Sequence, residues 1–183
     1  EMCIRDRCTT GPLGQGFGMS TGMALAESFL NNTLKSIDEE ASSLVDHFTY
    51  VIASDGDMQE PITLGSASLS GHLGLSKLIV FYDSNEVQIS GGVSRSDSTD
   101  YGVVFKGFGW HVQKIDGHDH DSIRIAIRKA QKSNQPSLII GETIMAKGSN
   151  GMEGDFNTHG APLPQDEIDS TKVKLGIKSE PFY

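Results

Sequence analysis

Phe48-Thr49-Tyr50-Val51-Ile52-Ala53-Ser54-Asp55-Gly56-Asp57 is the stretch on which the fold of this chain turns. Its first six residues are apolar, aromatic or β-branched, the make-up of a buried strand. The run then meets Asp-Gly, a tight-turn signal. It therefore delivers a carboxylate to the carboxyl edge of a sheet, where open α/β folds bind ligands. A second run, Leu78-Ile79-Val80-Phe81-Tyr82, ends the same way in Asp83-Ser84-Asn85. Two adjacent strand ends that each present an oxygen ligand suit a hard cation such as Mg²⁺, which keeps waters and takes phosphate oxygens as co-ligands.

On the amino side, Thr9 to Gly18 form a glycine-rich loop that leads into a helix, with Thr21, Ala24, Leu25 and Phe29 on one face. Gly14, Gly16, Gly18 and Gly22 weaken that helix, each by roughly 1 kcal/mol against alanine. Two compensations are open: N–H groups free to hold an anion, or close helix packing through small residues. Residues 31–47 are polar and acidic with little pattern, and are expected to form a surface excursion.

On the carboxyl side, Ile62, Leu64, Ala67, Leu69 and Leu73 predict a helix ending near Gly74, before the second strand. Ser90-Gly91-Gly92 breaks the chain, residues 94–100 read as a loop, and residues 101–108 as a short helix closed by Gly109. Residues 110–115 alternate as a third strand and run into Asp116-Gly117-His118-Asp119. Ile123, Ala126, Ile127 and Ala130 then mark a helix that Asp119 or Asp121 can cap. Residues 137–144 read as a fourth strand. A glycine-bearing loop, Lys147 to Gly160, leads to a last helix between Pro164 and Gly176. Strands alternating with helices predict an open, doubly wound α/β fold, its mainly parallel sheet covered by helices on both faces. A single domain over residues 9–183 is expected, with residues 1–8 an unassigned head, read as a truncation boundary or a sequence artefact.

At 183 residues the chain suffices for one core. Its net charge of −9 argues against nucleic-acid or anionic-membrane partners. No apolar run is long enough to span a bilayer. Cys3 and Cys8 are the only cysteines, so the expected setting is reducing and cytoplasmic.

The acidic strand end admits three chemistries. A calcium loop opened by Asp55 and Asp57 needs Gly and Glu where Glu60 and Ser66 stand, and is rejected. A phosphohydrolase with Asp55 as nucleophile leaves the Thr9–Gly18 loop and the Thr158–Pro162 turn without a role. The third is a metal-bridged diphosphate site, with Mg²⁺ held by Asp55, the Asn85 side-chain oxygen and a backbone carbonyl just past it.

Here a resemblance enters. Asp55-Gly56 followed by Asn85 resembles the bipartite diphosphate motif of thiamine-diphosphate enzymes. The segments Thr9-Thr10-Gly11-Pro12-Leu13-Gly14-Gln15-Gly16, Ile115-Asp116-Gly117-His118-Asp119 and His159-Gly160-Ala161-Pro162-Leu163 resemble transketolase in order and spacing, from about Thr9 to Gly176.

The resemblance implies the thiamine-diphosphate-binding fold and the diphosphate-anchoring part of an enzyme that moves a two-carbon ketol unit between sugar phosphates. It implies Asp55, Asn85 and the carbonyl of Val87 as Mg²⁺ ligands, and Gly56 as a backbone contact to the diphosphate of thiamine diphosphate. Gly11, Pro12 and Leu13 would line the cofactor near its rings. Glu60 would lie near a dimer interface, and His159 would face the thiazolium and the sugar as a proton-handling or oxyanion-stabilising group.

Ser54 and Pro61 depart from glycines common in that family. The implied pyrimidine-binding domain is not in this sequence, so the isolated chain is expected to be inactive. Its expected partners are that domain, as further chain or separate subunit, in a homodimer or a split heterotetramer. Deoxyxylulose-phosphate synthase, a 2-oxoacid dehydrogenase subunit and an inactive half-subunit are the alternatives. Of the other histidines, His47, His72, His111 and His120 read as packing or surface groups. His118 is open between a site role and a turn role.

Overall fold

A computed structural model describes residues 7–178 and residue 180. Cys3 and most of the head lie outside the described residues.

Six strands and six α-helices are formed among the described residues, with short 3₁₀ turns between them. Strands β1 (Thr49–Ser54), β2 (Leu78–Ser84), β5 (His111–Asp116) and β6 (Ser137–Glu142) build one parallel sheet in the order β1-β2-β6-β5. β3 (Val87–Gln88) and β4 (Gly91–Gly92) make a small antiparallel hairpin beyond the end of β2. The helices are α1 (Gln15–Ile37), α2 (Asp55–Met58), α3 (Pro61–His72), α4 (Tyr101–Gly107), α5 (His120–Ala130) and α6 (Gln165–Leu175).

The handedness of crossovers explains the layering. β1 to β2 and β2 to β5 step across the sheet in one direction, and their helices α3 and α4 join α1 in the same core. β5 to β6 steps back, so a right-handed connection must cross on the opposite face. There α5 buries Ala126 and Ala130 against Ile79 and Ile139. Both faces are therefore covered, as the pattern predicted, but the second by α5 alone. β1 lies at the edge away from α5, and its Ile52 is 83% exposed.

β2 and β6 sit inside the sheet, and their continuous apolar runs are what burial on both faces requires. The first core is aromatic: Phe105 meets Trp110 edge-on at 5.0 Å, and Phe17 lies about equally close to both, at 6.2 and 6.1 Å. The Trp110 indole donates to the Ala67 carbonyl at 2.8 Å, which satisfies its buried N–H and ties α4's exit to α3.

Two expectations are corrected. Residues 31–37 are not a surface excursion but the last turns of α1, a helix of 23 residues, followed by a 3₁₀ turn at Glu40–Leu44. These turns are largely exposed, so they need no apolar stripe. Asn31 stitches them down by donating to the carbonyls of Ser42 and Val45. Asp55-Gly56, in turn, does not make a tight turn. It opens the one-turn helix α2, and Pro61 then starts α3 at its first position.

Candidate functional site at the carboxyl edge of β1 and β2

Ser54 and Asp83 pair in register, so β1 and β2 end side by side. The residue that follows β1 is Asp55, only 3% exposed. Its Oδ1 accepts from the Tyr82 hydroxyl at 2.7 Å; its Oδ2 accepts the backbone N–H groups of Asn85 (3.1 Å) and Glu86 (3.2 Å). Burial pushes the Asp55 carboxyl above its usual range, partly offset by these donors, and nearby Asp83 adds to the rise. The same burial and the bond to Asp55 push the Tyr82 phenol upward. Holding the Glu86 amide in this way places that residue at φ 59°, a left-handed conformation uncommon outside glycine and asparagine.

Asn85 Oδ1 accepts the Val87 N–H at 3.0 Å, folding the strand exit back towards the β3–β4 hairpin. Asp83 accepts from Thr143, which fastens the end of β2 to the loop after β6. Between these strand exits lies a cavity of about 410 Å³, whose walls include Asn85, Val87, Glu142, Ile144, Gly154 and Phe156.

The donor set suits a hard cation. Asp55 forms no ion pair with a basic side chain among the described residues, so its buried charge is met only by neutral donors. Three acceptor positions on its two oxygens are filled, of about four available. Asn85, whose backbone N–H is bonded to Asp55, carries a neutral side-chain oxygen at the same strand exit. A carboxylate with few neutral oxygens around it is the kind of donor set that leaves coordination positions for water and phosphate.

The glycine-rich loop reaches the same edge. A Cβ on Gly56 would stand 2.9 Å from Leu13 Cδ1, so Leu13 lies directly against Gly56. Gly14, at φ 75°, is packed so closely that a Cβ there would meet Ile62, Glu60 and Thr63 within 3 Å. Gly18 also lies against Ile62. For Gly14 and Gly18 the compensation is therefore tight packing on α3. Gly11, Pro12 and Leu13 are exposed.

Not every expected residue converges. Asn85 and Val87 line the cavity, Asp55 lies against the Asn85–Glu86 backbone, and Gly56 and Leu13 meet beside it. Glu60 precedes α3 and is half-buried. His159 is exposed just past the Phe156–Thr158 turn and is not on the cavity wall. His118 takes the turn role: its Nε2 accepts the Ile144 N–H at 2.8 Å and pins the loop after β6.

Two side chains that bond to this strand end escaped the sequence reading. Tyr82 looks like any aromatic in a buried strand, and nothing in its neighbours marks it as a carboxylate partner. Asp57 had a signal: Ser54-x-x-Asp57 is the pattern of a helix-capping box. Its Oδ2 accepts from both the N–H and the hydroxyl of Ser54, at 2.9 and 2.8 Å.

Comparison with known proteins shows the family of this chain. A family model described as "Transketolase, thiamine diphosphate binding domain" matches residues 5–183. A transketolase of Sinorhizobium medicae is 41% identical over 175 residues, covering 96% of this chain and 24% of that protein. A transketolase of Buchnera aphidicola is 46% identical over 176 residues, covering 95% of this chain and 26% of its own. A Pichia stipitis transketolase structure, a mutant described in complex with xylulose-5-phosphate, superposes with a TM-score of 0.87 at 35% identity, covering 96% of this chain and 26% of that one. The Campylobacter jejuni enzyme gives 0.84 at 38% identity, with 92% and 26% covered. The chain thus spans about a quarter of the length of the relatives it matches.

Proposed function

The chain belongs to the transketolase thiamine diphosphate binding domain family, and on that premise we propose that residues 9–183 are the diphosphate- and Mg²⁺-anchoring domain of a ketol-transferring enzyme. The observation that carries this reading is the buried Asp55 carboxylate, which accepts the N–H groups of Asn85 and Glu86 and has no basic side-chain partner among the described residues. Asp55, Asn85 Oδ1 and the Val87 carbonyl would hold Mg²⁺, which would offset the charge of the diphosphate of thiamine diphosphate. Gly56 offers its N–H at the start of α2, where an anion is favoured. When bound, the cofactor supplies the electron sink for breaking and making a carbon–carbon bond.

The chain's own residues bind, orient and shield. Gly11, Pro12 and Leu13 line the ring end, and Leu13 keeps that end in register with Gly56. Glu60 faces the partner side of the site, at a homodimer or split-subunit interface. His159, exposed on its loop, is free to meet a sugar phosphate and to hold or move a proton on the substrate oxygen. The rest of the machinery, including the pyrimidine-binding domain, comes from the remainder of the assembly, in a cytoplasmic setting.

Calorimetric titration of thiamine diphosphate into the full chain, with Mg²⁺ and with EDTA, tests the anchor. Metal-dependent binding is expected in the parent and its loss in Asp55→Ala and Asn85→Ala. Unchanged binding in either variant would remove the metal assignment.

A further inference from the structure

Asp57 has no part in the anchor described above, yet its carboxylate bridges two separate pieces of the site. Oδ2 accepts the Ser54 N–H and hydroxyl at the end of β1, at 2.9 and 2.8 Å. Oδ1 accepts the N–H of Gly14 at 2.8 Å, from 43 residues away in sequence. Gly14 is the residue at which the Thr9–Gly14 loop turns into α1. Gly14 is held in a left-handed conformation, with Glu60 and the first turn of α3 packed closely against it. Leu13, the next residue back, is laid against Gly56, and Gly56 is bonded to Asp57 in the chain. The tether and the contact therefore close a small ring: strand end, Gly56, Leu13, Gly14, Asp57.

We propose that Asp57 is a positioning residue that fixes the Gly11–Leu13 loop against the Asp55–Gly56 strand end, so that the ring end and the diphosphate end of the cofactor site are set at one distance. This rests on the reading above of Gly11, Pro12 and Leu13 as ring-lining. Asp57 reaches the cofactor only through Gly14 and Leu13. A carboxylate suits the task because it accepts on both sides at once, and bonds to an ionised acceptor are the strong ones. An amide cannot do the same. Asp57→Asn keeps one carbonyl oxygen, and its NH₂ must then face either the Ser54 donors or the Gly14 N–H.

The two ends can be probed separately. Inorganic diphosphate with Mg²⁺ reports the anchor alone, while thiamine diphosphate with Mg²⁺ reports anchor and loop together. Both are titrated calorimetrically into the full chain, its Asp57→Asn variant and a Ser54→Ala control, which loses a hydroxyl but keeps the Gly14 tether. Amide exchange across residues 9–16 is followed in the same samples.

Asp57→Asn is expected to hold inorganic diphosphate within about twofold of the parent. It should lose on the order of tenfold in affinity for thiamine diphosphate and exchange faster across the loop. Ser54→Ala should track the parent for both probes. Equal loss for both probes in Asp57→Asn would make the residue merely structural and overturn the proposal. So would parent-like affinity for both. A folded parent that binds neither probe sinks the anchor reading instead; unaltered exchange at Gly14 in Asp57→Asn would then overturn the tether as well. If Asp57→Asn melts far below the parent, Asp57→Ser, too short to serve both sides, is judged by the same probe ratio.

Discussion

The Tyr82 hydroxyl donates to Asp55 Oδ1 at 2.7 Å, joining residues 27 apart in sequence at the ends of neighbouring strands. Tyr82 follows Val80 on the face that packs against α1, α3 and α4, so its ring is core and its hydroxyl reaches the strand end. It stacks edge-on against Tyr101 at 6.1 Å, which keeps the phenol from swinging away. A core tyrosine thus helps to orient Asp55, together with the Asn85 and Glu86 N–H groups.

Tyr82→Phe keeps the ring and deletes the donor. A hydrogen bond to a charged group contributes about 1.5–3 kcal/mol. A loss in that range is expected from urea denaturation at neutral pH, with an unchanged m-value because packing is preserved. An unshifted midpoint would mean that Asp55 does not depend on this donor.

Gly71 and Gly65 lie on the same helix, α3, and should respond in opposite ways to alanine. A Cβ on Gly71 would stand 1.8 Å from the Phe108 carbonyl oxygen, a backbone atom that cannot step aside. Gly65 has nothing within 4 Å. Gly71→Ala is expected to destabilise by about 3 kcal/mol or more through overpacking. Gly65→Ala should stabilise by about 0.5–1 kcal/mol through helix propensity. Thermal melts of the two variants check both signs; a Gly71→Ala protein as stable as the parent would show that α3 and the α4 exit are not so tightly apposed.

How far the sequence could be read follows from the range of each signal. β2 is visible because burial on both faces leaves a continuous apolar run, and α5 because Ile123, Ala126, Ile127 and Ala130 keep the helical period. In α3 only Ala67 of the residues that suggested the helix is fully buried, while Ile62, Leu69 and Leu73 are exposed. Asp55 and Asn85 are visible because strand ends are short-range features of apolar runs. The place of β6 between β2 and β5 is not written in any local pattern, since a parallel strand buried on both faces looks alike at either position. The polar end of α1 was missed because exposed helix needs no apolar stripe. Asp57 was set aside with the calcium loop, although its spacing to Ser54 marks a cap; its second bond, to Gly14, is a long-range contact that no local pattern can show.

Lys77 holds the opposite end of the molecule together. Its ammonium donates to Glu27 at 2.6 Å and to Asp46, joining α1, the loop before β1 and the start of β2. Glu27 is 4% exposed, so removing its partner strands a buried carboxylate. Lys77→Met is expected to cost about 3 kcal/mol by chemical denaturation. The double variant Lys77→Met with Glu27→Gln should recover part of that, because no buried charge is then left alone. A single variant that costs no more than the double would locate the loss in packing rather than charge.

Asp119 gives the fold an acid-sensitive helix start. Its carboxylate accepts the Ser122 hydroxyl at 2.5 Å and the N–H groups of Asp121 and Ser122 at the head of α5. The Ser122 hydroxyl, then the Asp121 amide, hold its carboxyl below the ordinary value of 3.8. The folded state therefore releases this proton more readily than the unfolded chain does. The stabilisation is present in full above the ordinary value and is lost as pH falls through the depressed one. Asparagine caps as well as aspartate but carries no titrating charge. Asp119→Asn should match the parent near pH 7 and lose less stability between pH 4 and pH 2, measured by amide exchange in α5. Parallel acid profiles for the two proteins would show that Asp119 caps without contributing to the pH dependence.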